Sequence, residues 1–134
     1  MIRGSCACGT VRFELAQRPS MMATCHCSRC RKQGASAFVF VRREDFALVA
    51  GREAVAVFEP DPPFHYRRCF CCWCGSALGE ILDAAETFPV AANALDDDPG
   101  VANRFHEFVA DKPAWLTIGD AAPQFAGPPV KASA

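Results

Sequence analysis

The sequence lacks an excess of charge of either sign. Lys and Arg total 14 against 15 Asp and Glu, for a formal net charge of −1. Proteins that grip nucleic acid or anionic membranes need a basic surface, so neither partner is expected. No uninterrupted apolar run approaches the roughly 18–20 residues that cross a bilayer. The opening stretch, Met1-Ile-Arg-Gly-Ser-Cys6, has no apolar core of a secretory signal. A cytoplasmic setting is therefore expected, where thiols stay reduced. Helical periodicity is scarce, and neither an internal repeat nor a linker divides the chain. At 134 residues and 51 % hydrophobic content, the chain suits one domain with a real core.

Cysteine, by contrast, is abundant and clustered. Nine cysteines fall in three groups: Cys6-Ala-Cys8, Cys25-His-Cys27-Ser-Arg-Cys30 and Cys69-Phe-Cys71-Cys72-Trp-Cys74. An odd count in a reducing compartment fits a disulfide framework poorly. CxC, CxCxxC and CxxC spacings instead aim several thiolates at one soft metal ion, with zinc the default occupant. There are too many ligands for one tetrahedral ion, so two zinc sites are expected.

Short β-type runs fill the space between clusters. Thr10–Leu15 alternates, with Val11, Phe13 and Leu15 on one face. Ala37–Val41, Val55–Phe58, Phe64–Phe70, Ala77–Leu82, Phe88–Ala92 and Phe105–Val109 are further strand candidates. Pro60-Asp-Pro-Pro63 reads as a turn between two of them. One short helix is expected, capped by Ser28, continued by Arg29–Gln33 and stopped by Gly34. Asp96-Asp-Asp-Pro-Gly100 reads as a solvated turn. From Gly119 onward Pro, Gly and Ala predict a loosely held tail.

The first expected site is Cys6, Cys8, Cys71 and Cys74, each pair followed by a glycine, Gly9 or Gly75, that allows a tight turn. A four-sulfur zinc has no open position, so this one is structural. Cys25, Cys27 and Cys30 leave a second zinc one ligand short, which marks a catalytic or substrate-binding ion. The alternative is a second structural site completed by Cys69, Cys72, His26, His65 or His106. His26 sits between two ligands and should point away from their shared centre. Three thiolates over-neutralise Zn²⁺, so the open position suits a thiol rather than hydroxide. Cys69 and Cys72 read as buried small hydrophobes, and Trp73 as packing over the structural zinc. Phe38 or Phe40 could wall a pocket beside the open site.

Three segments carry a resemblance to a known family: Gly4-Ser-Cys-Ala-Cys-Gly-Thr-Val-Arg-Phe13, Cys25-His-Cys-Ser-Arg-Cys-Arg-Lys32 and Phe70-Cys-Cys-Trp-Cys-Gly-Ser-Ala-Leu78. With the weaker Ala94–Asp97 and Trp115 regions, the chain resembles the glutathione-dependent formaldehyde-activating family, which includes centromere protein V. The resemblance covers roughly residues 3–125, leaving 126–134 as a flexible tail. It implies a mainly β domain of twisted antiparallel sheets, called a β-tent, around a structural zinc, with few short helices. It assigns Cys6, Cys8, Cys71 and Cys74 to that ion, and Cys25, Cys27 and Cys30 to a second zinc near which glutathione binds. The implied activity is that of a carbon–sulfur lyase joining glutathione and formaldehyde as S-hydroxymethylglutathione. Arg29, Arg31, Lys32 and Arg67 are candidates for glutathione carboxylates, and His26 is a candidate proton source. Two non-enzymatic expectations stand beside this one: a zinc-stabilised binding module, and a zinc or redox buffer.

Overall fold

The structure, a computed structural model, describes residues 1–129. Ten strands and one short helix follow one another: β1 (Ile2–Ser5), β2 (Arg12–Leu15), β3 (Met21–Cys25), α1 (Ser28–Gln33), β4 (Ala37–Arg42), β5 (Phe46–Ala50), β6 (Val55–Phe58), β7 (Arg68–Cys71), β8 (Ala77–Gly79), β9 (Thr87–Ala91) and β10 (Asn103–Glu107). They form a three-stranded sheet, β1-β2-β5, and a seven-stranded sheet, β10-β3-β4-β9-β8-β7-β6. The mainly β expectation holds. One detail differs: β10 lies parallel to β3, while the other pairs are antiparallel.

Alternation explains how the two sheets meet. Val11, Phe13 and Leu15 are fully buried, while Arg12 faces out. Phe13 stacks on Phe46 of β5 at 5.4 Å between ring centroids, and Phe46 meets Phe88 of β9 edge-on at 5.2 Å. Val39 and Val41 of β4 and Val90 of β9 complete this core. The intervening residues Phe38, Phe40 and Pro89 line a cavity with Cys25 and Cys30. The strand period thus divides core wall from site wall within the same two strands.

Several expectations shift. β1, β3 and β5 were not legible as strands. Phe64–Arg67 is loop, and strand β7 begins at Arg68. β10 stops at Glu107 because Phe108 takes a left-handed backbone (φ 54°), which ends the extended run. The segment beyond Gly119 is held rather than loose where it passes β10. His106 N–H donates to Pro123 O, Phe125 N–H to His106 O and Phe108 N–H to Gly127 O, at 2.8, 2.8 and 2.9 Å. Val130–Ala134 of the expected tail lie outside the described residues. The acidic turn is also anchored: Asp97 pairs with Arg3 at 3.0 Å and Asp96 accepts from the Ser5 hydroxyl at 2.8 Å. No helix among the described residues is long and apolar enough to cross a membrane.

Candidate metal and thiol centre

Four sulfurs converge at one end of the small sheet. The Sγ atoms of Cys6, Cys8, Cys71 and Cys74 all lie within 4.8 Å of one another. Cys6 and Cys8 are 3.6 Å apart, and Cys8 and Cys71 are 3.8 Å apart. A regular tetrahedron with Zn–S bonds of about 2.3 Å has edges of about 3.8 Å, so the donor set fits zinc. Gly9 and Gly75 both take left-handed backbones, at φ 77° and 76°, and close matching turns. Gly9 N–H returns to Cys6 O at 3.0 Å and Gly75 N–H to Cys71 O at 2.8 Å. Ser76 bridges the two turns, since its Oγ accepts from Ala7 N–H at 2.8 Å and lies 3.2 Å from Cys74 Sγ. Its hydroxyl pulls the Cys74 thiol down to about 5. The Thr10 hydroxyl lowers that of Cys8, while burial raises Cys71 to about 11. Trp73 does not pack over this cluster as expected. It is 77 % exposed, because the turn carries its side chain outward.

The second cluster sits where β3 passes into α1. The Sγ atoms of Cys25, Cys27 and Cys30 also lie within 4.8 Å of one another. No fourth His, Cys, Asp or Glu joins them among the described residues. Cys27, not Ser28, caps the helix, its Sγ accepting from Cys30 N–H at 3.3 Å. That one-residue shift turns the cap into a cluster member. Gly34 ends the helix as expected, at φ 82°. Arg68 donates to Cys30 Sγ at 3.6 Å. The hydrogen bond from Cys25 chiefly lowers the Cys30 thiol, to about 5, with help from Cys27 and Arg68. Cys25 is pushed up correspondingly by Cys30 and by burial.

Two chambers meet at this cluster. An inner one of about 30 Å³ is walled by Phe38, Phe40, Pro89 and Ala23. An outer one of about 510 Å³ is lined by Arg29, Phe64, His65, Phe108 and Asp111. Cys25, Cys30, Tyr66, Arg68 and Glu107 border both. Burial is the main cause that raises the Glu107 carboxyl above the ordinary carboxylate range. Burial likewise pushes the Tyr66 phenol up to about 12. Arg68 lines both chambers, and its Nε is buried with no hydrogen-bond partner among the described residues.

The other candidates scatter. Arg29 lies 3.8 Å over the Phe64 ring at the outer chamber. Arg31 lines a different cavity, and Lys32 is exposed. Arg67 pairs with Glu59 at 2.9 Å. Cys69 is buried in the core as expected, but Cys72 is exposed. His26 joins no sulfur cluster. Its Nε2 lies 2.8 Å from Nδ1 of His106, which in turn contacts Asp120 at 2.8 Å. Burial holds the His26 imidazolium below its ordinary range, and His106 depresses the Asp120 carboxyl. Arg68 and Glu107 escaped the sequence reading because neither belongs to a cysteine motif. Both lie at strand ends that only the sheet brings to Cys25, where β10 pairs Glu107 with Cys25.

A small β domain with one four-cysteine cluster and one open three-cysteine cluster defines the class. A family model described as glutathione-dependent formaldehyde-activating enzyme matches residues 1–111. A protein of Halomonas elongata named "Putative glutathione-dependent formaldehyde-activating enzyme" is 32 % identical over 128 residues, covering 88 % of this chain and 81 % of that protein. A crystal structure of a Rhodobacter sphaeroides protein is similar with a TM-score of 0.57 and 26 % identity, over 76 % of this chain and 92 % of that one. The chain belongs to the glutathione-dependent formaldehyde-activating enzyme family.

Proposed function

We propose that this protein catalyses the reversible addition of glutathione, or a similar small thiol, to formaldehyde or another small aldehyde, as a carbon–sulfur lyase. The observation that carries the reading is the pair of unequal chambers joined at Cys25 and Cys30. The inner one suits a very small aldehyde and the outer one a tripeptide-sized thiol. In this reading Cys6, Cys8, Cys71 and Cys74 hold a structural zinc, and Cys25, Cys27 and Cys30 hold a second. When bound, the second zinc would supply a coordination position that favours a soft sulfur donor, because three thiolates leave it with a net charge of −1.

The protein's own groups do the rest. Arg29, at the outer chamber, meets a glutathione carboxylate by a charge-assisted hydrogen bond. Bringing sulfur and carbonyl carbon together at the shared border makes the addition effectively intramolecular. As the C–S bond forms, the C=O π pair moves onto oxygen. The guanidinium of Arg68, a residue that lines both chambers, donates to that oxygen. Glu107 takes the thiol proton and returns it to the oxygen, giving the hydroxymethyl thioether; the reverse path uses the same groups. His26 is turned toward His106 and a separate cavity, so Glu107 is the better placed proton carrier.

The test is exchange between formaldehyde, glutathione and S-hydroxymethylglutathione, followed by magnetisation-transfer NMR. The rate should exceed the spontaneous one in proportion to protein concentration, and Cys27→Ser should remove the excess. Glutathione binding with no rate above background would end the lyase reading and leave a thiol-binding module.

A further inference from the structure

A second cavity, of about 480 Å³, lies apart from the cysteine chambers. Alternation along β3 separates them. Ala23 and Cys25 line the inner chamber, whereas Thr24 and the following His26 line the second cavity. Arg31 reaches it from α1, and Leu116 and Ile118 form an apolar wall with Trp115, which is 76 % exposed, at its rim. That wall lies beyond residue 111, where the match to the family ends. The cavity is thus built from family core on one side and from this chain's later segment on the other.

A fixed hydrogen-bond chain ends in it. Asp120 accepts from His106 Nε2, Ala122 N–H and Asn103 Nδ2, at 2.8, 3.0 and 3.2 Å. The Thr24 hydroxyl donates to Asn103 Oδ1 at 3.0 Å, which turns the Asn103 amide nitrogen toward Asp120. A neutral imidazole has one N–H, and a carboxylate can only accept. Asn103 Nδ2 also lies 3.0 Å from His106 Nε2, but the Asn103 amide directs its hydrogen to Asp120. A carboxylate cannot donate, so the shorter contact with Asp120 places the His106 proton on Nε2. Its Nδ1 is then an acceptor, so His26 must donate from Nε2 across their 2.8 Å contact. What remains is His26 Nδ1, a bare acceptor with no partner among the described residues, on a side chain that is 4 % exposed. Arg31, exposed and in no ion pair among the described residues, supplies a cation at the same cavity.

We propose that this cavity binds a small carboxylic acid bearing a hydroxyl group. The hydroxyl donates to His26 Nδ1, the carboxylate meets Arg31, and the carbon skeleton lies against Trp115, Leu116 and Ile118. The site is separate from the cysteine chambers, so it stands or falls independently of the lyase reading.

Trp73 and Trp115 are the only tryptophans. A Trp73→Phe background, at an exposed position, makes Trp115 a direct reporter. The zinc-loaded full-length protein is titrated in mildly alkaline buffer with hydroxycyclohexanecarboxylate, with cyclohexanecarboxylate and with the hydroxylated carboxamide. The hydroxy acid should change Trp115 emission saturably. The other two should bind about tenfold more weakly, as expected for one lost hydrogen bond or ion pair at such a site. Arg31→Gln should erase the gap between acid and amide while keeping the hydroxyl preference. Asp120→Leu should erase the hydroxyl preference while keeping the acid preference. Equal binding of all three probes, no saturable response at millimolar concentration, or an Arg31→Gln protein with an unchanged acid preference would overturn the proposal. The Arg31 arm does not depend on Asp120→Leu folding well, because Arg31 is exposed.

Discussion

At the scale of single residues, the two cysteine clusters differ in what a serine does to them. Cys74 belongs to a closed four-sulfur set that ties the loop after β1 to the turn after β7. In the two-zinc reading metal binding there is coupled to folding, so Cys74→Ser should cost about 3 kcal/mol and lower Tm by roughly 10 °C for a chain of this size. Cys27→Ser removes one ligand of the open set but keeps a helix cap, since a serine oxygen is a preferred acceptor there, and leaves both sheets intact. Its melt should therefore stay within a few degrees of wild type. Identical melts for the two variants would mean that the clusters do not divide into structural and open sites.

Arg68 is the residue whose loss should separate binding from chemistry. Its guanidinium is held beside Cys30 Sγ, and the residue lines both chambers. An interaction made only as charge develops on oxygen contributes to kcat. Arg68→Gln should therefore lower kcat about a hundredfold, the usual scale for one such donor. Glutathione affinity, measured by calorimetry, should stay within a few-fold of wild type.

Asp97 offers a pH test that is independent of metal. Its hydrogen bond and ion pair with Arg3 hold its carboxyl down to about 2, below an ordinary 3.8. A depressed acid stabilises the fold fully above its ordinary value, and that share is lost as pH falls through about 2. Carbon-detected NMR titration should place the Asp97 midpoint in this low range. Arg3→Gln should return it to the ordinary carboxylate range. Because the pair is exposed, the effect on overall stability should be small.

At the scale of elements, the contact between β1 and β2 is unusually close. Gly4 faces Phe13 across the ladder, and a Cβ on Gly4 would sit 2.1 to 2.7 Å from three Phe13 ring atoms. The ring cannot retreat, since it is 1 % exposed and stacked on Phe46. Gly4→Ala should therefore destabilise the fold by about 1–3 kcal/mol, the usual cost of overpacking, visible as a lower denaturation midpoint. The cysteine turn beginning at Cys6 follows directly on β1, so strain in β1 is transmitted to the four-sulfur cluster. A pairing error of one residue in β3 would likewise exchange Cys25 and His26 between the two cavities.

At the scale of the whole molecule, the placement of the two sulfur sets predicts unequal metal release. One links two distant parts of the chain, residues 6–8 with 71–74. The other is local to residues 25–30 at the rim of a cavity. Freshly purified protein should carry two zinc ions. A chelator should take one readily while far-ultraviolet circular dichroism stays unchanged, and the second should leave only with unfolding. A single ion per chain, or joint loss of both with the fold, would refute the two-site reading.

Much of this was legible in the sequence. Cysteine spacing marks the CxC, CxCxxC and CxxC groups, because such turns are local geometry, while the fold brings residues 6–8 to 71–74. The alternation of Val11, Phe13 and Leu15 marks a buried strand face for the same reason. Gly9, Gly34 and Gly75 mark backbone turns that other residues rarely adopt. What sequence could not supply depends on long-range pairing. β1, β3 and β5 are no shorter than β6 or β8, but Gly4, Ala23, Ala47 and Ala50 dilute their strand pattern, and they exist because neighbouring strands accept their hydrogen bonds. Arg68 and Glu107 reach Cys25 only through sheet register. The stretch after Gly119 is poor in side-chain signals, yet its backbone is held by β10 and carries Asp120 to His106. Local chemistry thus wrote the cysteine groups and turns into the sequence. Tertiary structure decided the walls of the cavities and their charged partners, since such contacts join residues far apart in the chain and no local pattern encodes them.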